Sequence, residues 1–207
     1  MSKKIVSQAV IKRLPRYYRH LESLEKQGIQ KVSSGTLAQL LDITASQVRQ
    51  DFCNFGGFGQ QGYGYDVVTL KEELANIMGL NKTYNMIIIG VGNIGRALAN
   101  YTGFKKEGFN INAIFDIADI NTDGLSVNFY KMSELQNYVK NNAVDIAVIS
   151  TQGKVAQDVC NEIISYGVKH IWNFAPIDLS VPEDVIIENI SMSESLYVLS
   201  YKMTNKD

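Results

Sequence analysis

Histidine and cysteine are scarce in this chain, with two of each among 207 residues. His20 lies in a predicted helix and His170 opens a predicted strand, so no proton-transfer constellation is in view and no catalytic residue is expected. Cys53 and Cys160 fall in different predicted domains without ligand-like spacing, which argues against a zinc site or a disulfide framework. Long apolar runs are missing too: none approaches the roughly 18 residues of a membrane span. Residues 1–4 lead into a mixed amphipathic segment rather than a signal-peptide core. The expectation is a cytoplasmic protein with two reduced thiols, no metal and no membrane association. Net charge is nearly absent at -1, but that value conceals an asymmetry. Residues 1–83 carry eleven Lys or Arg against seven Asp or Glu (+4), and residues 84–207 carry nine against fourteen (-5).

The most informative segment is Ile87-Ile88-Ile89-Gly90-Val91-Gly92-Asn93-Ile94-Gly95. A β-branched run suits a strand buried on both faces of a parallel sheet, and residues 93–101 then read as a helix. In this strand-turn-helix, Gly90 would permit the tight turn, Gly92 the close approach of a pyrophosphate, and Gly95 the packing of helix on strand. A second predicted strand, 111–115, ends at Asp116. This acid stands near the interval of about 20 residues at which a carboxylate takes the adenosine ribose hydroxyls and repels a 2'-phosphate, favouring NAD(H) over NADP(H). The bland alternative is a structural glycine turn with an acid that caps a loop. Strands at 127–130, 145–150, 170–174 and 185–190, with helices at 133–141 and 154–166, continue the alternation of an α/β domain with a parallel sheet. Ligands on such sheets lie beyond the carboxyl ends of the strands, which makes Thr151, Gln152, Asn173 and Pro176 further cofactor candidates; the alternative for the polar ones is a turn former at a strand end.

Upstream, residues 5–26 place Val10, Leu14, Tyr17, Tyr18, Leu21 and Leu24 at helical spacing, with Pro15 marking either a kink or a helix that begins near Leu14. The basic excess here includes Arg13 and Arg16, candidates for phosphate contact, although a solvated helix face would account for the same charges. Residues 36–41 form a short helix, and Thr44 with Gln47 has the pattern of a capping box opening a third helix. Two short helices across a tight turn make a helix-turn-helix, whose second helix would offer Ser46, Gln47, Arg49 and Gln50 to DNA while Val48 and Phe52 face the core. The glycine-rich run 55–65 suits a β-hairpin wing, with Phe58, Gln60, Gln61, Gly62 and Tyr63 as candidate DNA contacts, the alternative being a structural hairpin that touches no DNA. Residues 67–80 read as a connecting helix.

The ordered set RLPRYYRHL, VSSGTLAQLL, TASQVRQD, FGGFGQQGYGYDV, GVGNIGRALANYTGF, FD and NFAP resembles the redox-sensing transcriptional repressors of the Rex family. The resemblance runs from about Arg13 to the last helix. It implies an N-terminal winged-helix DNA-binding domain (1–83), a Rossmann-like NAD(H)-binding parallel sheet domain (84–190) and a C-terminal helix (191–207) exchanged between the subunits of a homodimer. It also implies a repressor that holds double-stranded operator DNA when NAD+ dominates and leaves it when NADH binds. Gln50, Gln60 and Gln61 stand where the family commonly has basic residues. Ser191 and Met192 stand where some members have an acid and an aromatic, so an ionic latch using that acid is absent here. Two rival readings are a small NAD-dependent oxidoreductase and a module for CoA or another nucleotide.

Overall fold

A computed structural model of the chain describes residues 6–56, 58 and 63–205. The chain divides into two compact units that meet at Lys82 and Thr83.

The first unit begins with α1 (Gln8–Lys26), where the Ser7 hydroxyl accepts the Val10 N–H. Pro15 lies inside α1 and does not break it, so the helix starts well before Leu14. An interior proline costs about 3 kcal/mol. Burial of Val10, Leu14, Tyr17, Leu21 and Leu24 along one stripe, each worth roughly 1.5–3 kcal/mol, offsets it. Strand β1 (Lys31–Val32) leads to α2 (Ser34–Leu41), and α3 (Ala45–Cys53) follows after a turn. That turn is made by Asp42, the C-cap of α2, which takes a left-handed conformation (φ 57°). The Thr44 hydroxyl caps α3 by accepting the Gln47 N–H. Strand β2 (Tyr65–Asp66) pairs antiparallel with β1, and α4 (Val67–Met78) closes the unit. Gly64 is needed for this pairing, because its φ is +73° and a Cβ would lie 2.7 Å from the Val32 carbonyl oxygen. Helix α4 is more than the connector its sequence suggests: Val67, Leu70 and Leu74 are buried in the core that α1, α2 and α3 share. In the wing segment, Gln60, Gln61 and Gly62 lie outside the described residues.

The second unit is a six-stranded parallel sheet in the order β5-β4-β3-β6-β7-β8. In chain order it runs β3 (Tyr84–Ile89), α5 (Asn93–Ala99), α6 (Gly103–Lys106), β4 (Phe109–Asp116), β5 (Asn128–Lys131), α7 (Leu135–Asn141), β6 (Ile146–Ile149), α8 (Gly153–Ser165), β7 (His170–Asn173), β8 (Ile186–Asn189) and α9 (Met192–Thr204). A 3-10 turn, Met132–Glu134, precedes α7. The order is that of a doubly wound dinucleotide fold, whose ligand crevice lies where the winding reverses beside the first strand. Alternation along β3 serves two cores. Ile87 and Ile89 pack with Ala113, Phe115, Ala147 and Ile149 on one face, and Ile88 packs with Ile114 and Val148 on the other. Between β7 and β8 the chain crosses without a helix. Helix α9 buries no residue, leaving Leu196, Tyr197, Leu199, Tyr201 and Met203 more than half exposed.

Candidate functional site

The turn after β3 is built by its glycines. Gly90 has φ +103°, and a Cβ on it would come within 2.8 Å of the Ser150 carbonyl oxygen. Gly95 packs the first turns of α5 against this loop so tightly that a Cβ would lie 1.9 Å from the Gly90 carbonyl oxygen. Gly92, the N-cap of α5, has nothing within 4 Å of where a Cβ would stand. Open space at that glycine, between two that are tightly packed, leaves the backbone accessible at the point where a pyrophosphate has to approach. Val91 is buried, Asn93 is exposed and Ile94 is half-buried.

Asp116, the last residue of β4, faces the same turn. Its Oδ2 accepts the Val91 N–H at 2.7 Å and its Oδ1 accepts the Ala118 N–H at 3.0 Å. A carboxylate offers about four acceptor sites, so the two oxygens that steady the turn keep capacity for ligand hydroxyls. Gly90, Val91, Gly92, Asp116, Thr151 and Gln152 line one cleft of about 680 Å³. The Ser150 hydroxyl is turned inward, onto the carbonyl oxygens of Ile89 and Gly90. The Thr151 hydroxyl oxygen is buried without a hydrogen-bond partner. A buried polar atom of this kind carries a penalty until a group supplies its bond. Met132 and Lys154, which the sequence reading did not single out, also line the cleft. Lys154 had a readable signal in its place one turn beyond a strand end.

Two further cofactor candidates, Asn173 and Pro176, lie at the end of β7 and on the turn after it. Asn173 is fully buried, and its amide donates to the Ile177 carbonyl and the Asn189 side chain while its Oδ1 accepts the Ala175 N–H. With those three bonds made, it braces the turn after β7 against the end of β8 rather than offering a polar group to a ligand. Pro176 is exposed and lies beside Gly153 at the start of α8, together with Ile177.

In the first unit, α3 presents Ser46, Arg49 and Gln50 to solvent. Arg49 donates to the Ser34 hydroxyl on α2 at 3.0 Å. Val48 and Phe52 are buried, as their spacing requires. Gln47 belongs to a different set: its amide donates to Asp51, so the capping box is half-made, with the Thr44 bond and no reciprocal one from Gln47. Arg13 is also turned inward, forming a two-pronged ion pair with Asp51 at 2.6 and 2.7 Å. Arg16 donates to the Leu41 carbonyl at 2.9 Å and so satisfies the C-terminal end of α2. Phe58 sits edge-on to Phe52 at 5.8 Å, half-buried against the core cluster. Tyr63 is exposed, with the Lys31 ammonium over its ring. Asp51 and Tyr17, absent from the sequence-based candidates, are the residues that gather Arg13 and Gln47. Among the described residues, no cluster of His, Cys, Asp or Glu could hold a metal ion, and no helix is long and apolar enough to cross a membrane.

Comparison with known proteins gives both units relatives. A family profile described as "Putative DNA-binding protein N-terminus" matches residues 5–53, and one described as "CoA binding domain" matches residues 81–177. The redox-sensing transcriptional repressor Rex of Caldanaerobacter subterraneus subsp. tengcongensis is 50% identical over 211 residues, spanning 100% of this chain and 94% of that protein. The Rex of Clostridioides difficile is 48% identical, spanning 98% of each. Among solved structures, RSP in complex with β-NAD+ and operator DNA matches with a TM-score of 0.91 at 47% identity, covering 98% of this chain and 94% of that one. RSP in complex with β-NADH matches with a TM-score of 0.90 at 44% identity, covering 98% and 96%. With identity near one half over the full length, and with the glycine turn and the helix-turn-helix both in place, the chain belongs to the Rex family of redox-sensing transcriptional repressors.

Proposed function

We propose that this protein represses transcription by binding operator DNA through its first unit, and that NADH bound in its second unit releases it. The observation that carries the reading is the pairing, on one chain, of a helix-turn-helix with a cleft shaped for a dinucleotide. The cleft fits such a ligand: Gly92 is open, Asp116 has spare acceptor sites, and the buried Thr151 hydroxyl lacks a partner. The backbone of residues 90–95 would take the pyrophosphate and Asp116 the adenosine ribose, with Thr151 and Gln152 toward the nicotinamide. When bound, the dinucleotide supplies a ring whose charge differs between its oxidised and reduced forms. The chain's own contribution is to bind and orient it, and no acid-base pair in the cleft is proposed to carry out chemistry.

Helix α9, whose apolar side chains lie open in the single chain, is the proposed dimer element, exchanged between two subunits. A cytoplasmic location follows from a role on operator DNA. Ser46, Arg49, Gln50 and Tyr63 are the DNA contacts that the exposed surface favours; Gln60, Gln61 and Gly62 of the wing, outside the described residues, join them on the sequence alone. Glutamines in place of basic residues release no counterions, so the salt dependence of operator binding should be shallow.

The test is an operator-binding titration repeated across NADH to NAD+ ratios, with NADH, NADPH and CoA compared as ligands by calorimetry. Binding that weakens as the NADH fraction rises, with NADH preferred in the titration, supports the proposal. Binding indifferent to the ratio would overturn it, and CoA outcompeting NADH would favour the ligand for which the second profile is named.

A further inference from the structure

An acid is buried under the DNA-reading helix. Asp51 is on α3, one turn after Gln47, and its side chain is fully buried. An isolated buried carboxylate is costly unless paired and hydrogen-bonded. Here four donors converge on it. Arg13 on α1 donates two bonds in a fork at 2.6 and 2.7 Å, the Tyr17 hydroxyl donates one at 2.9 Å, and the Gln47 amide donates one at 2.8 Å. Burial by itself would raise the Asp51 pKa, but the bonds from Arg13, Gln47 and Tyr17 outweigh it and hold the carboxyl below its ordinary value. Burial and the bond to Asp51 push the Tyr17 hydroxyl upward. The Arg13 guanidinium is held as a cation by the same bond.

The geometry divides α3 into three faces. Val48 and Phe52 enter the core. Ser46, Arg49 and Gln50 are exposed. Asp51 faces α1 and is fastened to it by Arg13 and Tyr17, and Gln47, four residues earlier, joins the same carboxylate. Apolar packing is non-directional, so Val48 and Phe52 alone would tolerate a small rotation of α3 about its axis. A forked charge-assisted pair is directional and sets both distance and angle.

We infer that Asp51, gripped by Arg13, Tyr17 and Gln47, is the positioning residue of the DNA-reading helix, fixing the rotation at which Ser46, Arg49 and Gln50 meet the bases. Arg13 and Gln47 thereby act on DNA through Asp51 and not by touching it. This rests on the reading of α3 as the recognition helix. Operator binding by the unaltered full-length protein tests that reading, whereas the variants test this inference.

The experiment measures affinity for operator and for non-specific duplex, each across a range of salt concentrations, together with NADH affinity and thermal stability. Arg13→Lys keeps the positive charge and removes the fork. A phosphate-contacting Arg13 would lose little by it, since lysine also binds phosphate, as a point charge. A clamping Arg13 loses operator affinity by about tenfold, the scale on which a single base contact is felt. Non-specific affinity, NADH affinity and the salt slope should then stay as they were. Arg13→Gln, which also removes the charge, should leave the salt slope unchanged, whereas loss of a true phosphate contact lowers its magnitude by about 0.9. Asp51→Asn should reproduce the loss of specificity. Any of three results overturns the inference. One is Arg13→Lys binding operator normally. Another is Arg13→Gln losing close to one unit of salt slope and weakening operator and non-specific DNA equally. The last is an Arg13→Lys protein so destabilised that its operator affinity falls only in step with its folded fraction.

Discussion

Asp116 spends one acceptor site of each carboxylate oxygen on a backbone N–H, and the remaining sites are what a ribose would use. Asp116→Ala should therefore weaken NADH by about tenfold or more, as expected when a hydrogen bond to a charged group worth roughly 1.5–3 kcal/mol is lost. It should also narrow the preference over NADPH, because the charge that repels a 2'-phosphate is gone. Calorimetry with both dinucleotides checks this, and unchanged selectivity would count against the assignment. Gly95 offers a steric test. A Cβ at 1.9 Å from the Gly90 carbonyl oxygen and 2.8 Å from the Ser150 hydroxyl has no room, and that carbonyl is itself held by the Ser150 hydroxyl at 3.0 Å. Gly95→Ala should cost about 1–3 kcal/mol in a denaturant titration, the range for overpacking, and should abolish NADH binding. At this scale the sequence was informative about glycines, whose roles follow from local geometry. It left Asn173 open between cofactor contact and turn former, and it was uninformative about Arg13 and Gln47, polar side chains whose partner Asp51 is brought to them by the fold.

Helix α9 is rich in apolar residues but has no core to face within one chain: Leu196, Leu199 and Met203 are 63%, 52% and 68% exposed. Exposed apolar side chains in such number on one helix mark an interaction surface. Removing residues 191–207 should convert a dimer to monomers in sedimentation and abolish NADH-dependent release from operator. A truncated protein that stays dimeric and still leaves DNA on NADH addition would refute the exchanged-helix reading. Other elements were legible because their signals are short-range. Ser33 and Thr44 cap α2 and α3, and Asp66 caps α4, through bonds to an N–H three residues on. The β-branched run 87–89 formed a central strand. The short helix α6 went unread, since four residues hold too few turns for a periodic pattern, and the role of α4 in the core is settled by what packs against it, not by its own sequence.

For the molecule as a whole, coupling between the two functions must be reciprocal. If NADH lowers operator affinity by some factor, operator DNA lowers NADH affinity by the same factor, commonly 5- to 150-fold, or about 1–3 kcal/mol. Titrating NADH with and without saturating operator should return the factor found by titrating operator with and without saturating NADH; inequality would mean that more than the two ligands and one protein takes part. A ligand that favours neither form shifts nothing, so the nicotinamide end, where the two redox forms differ, has to supply the preference. The sequence by itself determined the longer helices and the strands of the parallel sheet, the glycine turn with its acid and the helix-turn-helix, because periodicity, caps and backbone freedom act over a few neighbouring residues. Only the tertiary structure decided that Arg13 and Gln47 serve Asp51, that Asn173 is a brace, and that the Thr151 hydroxyl is left over. Arg13 and Asp51 are 38 positions apart, and Asn173 and Asn189 are 16 apart. A buried polar group is satisfied by whatever the fold brings beside it, and proximity of that kind is created by packing.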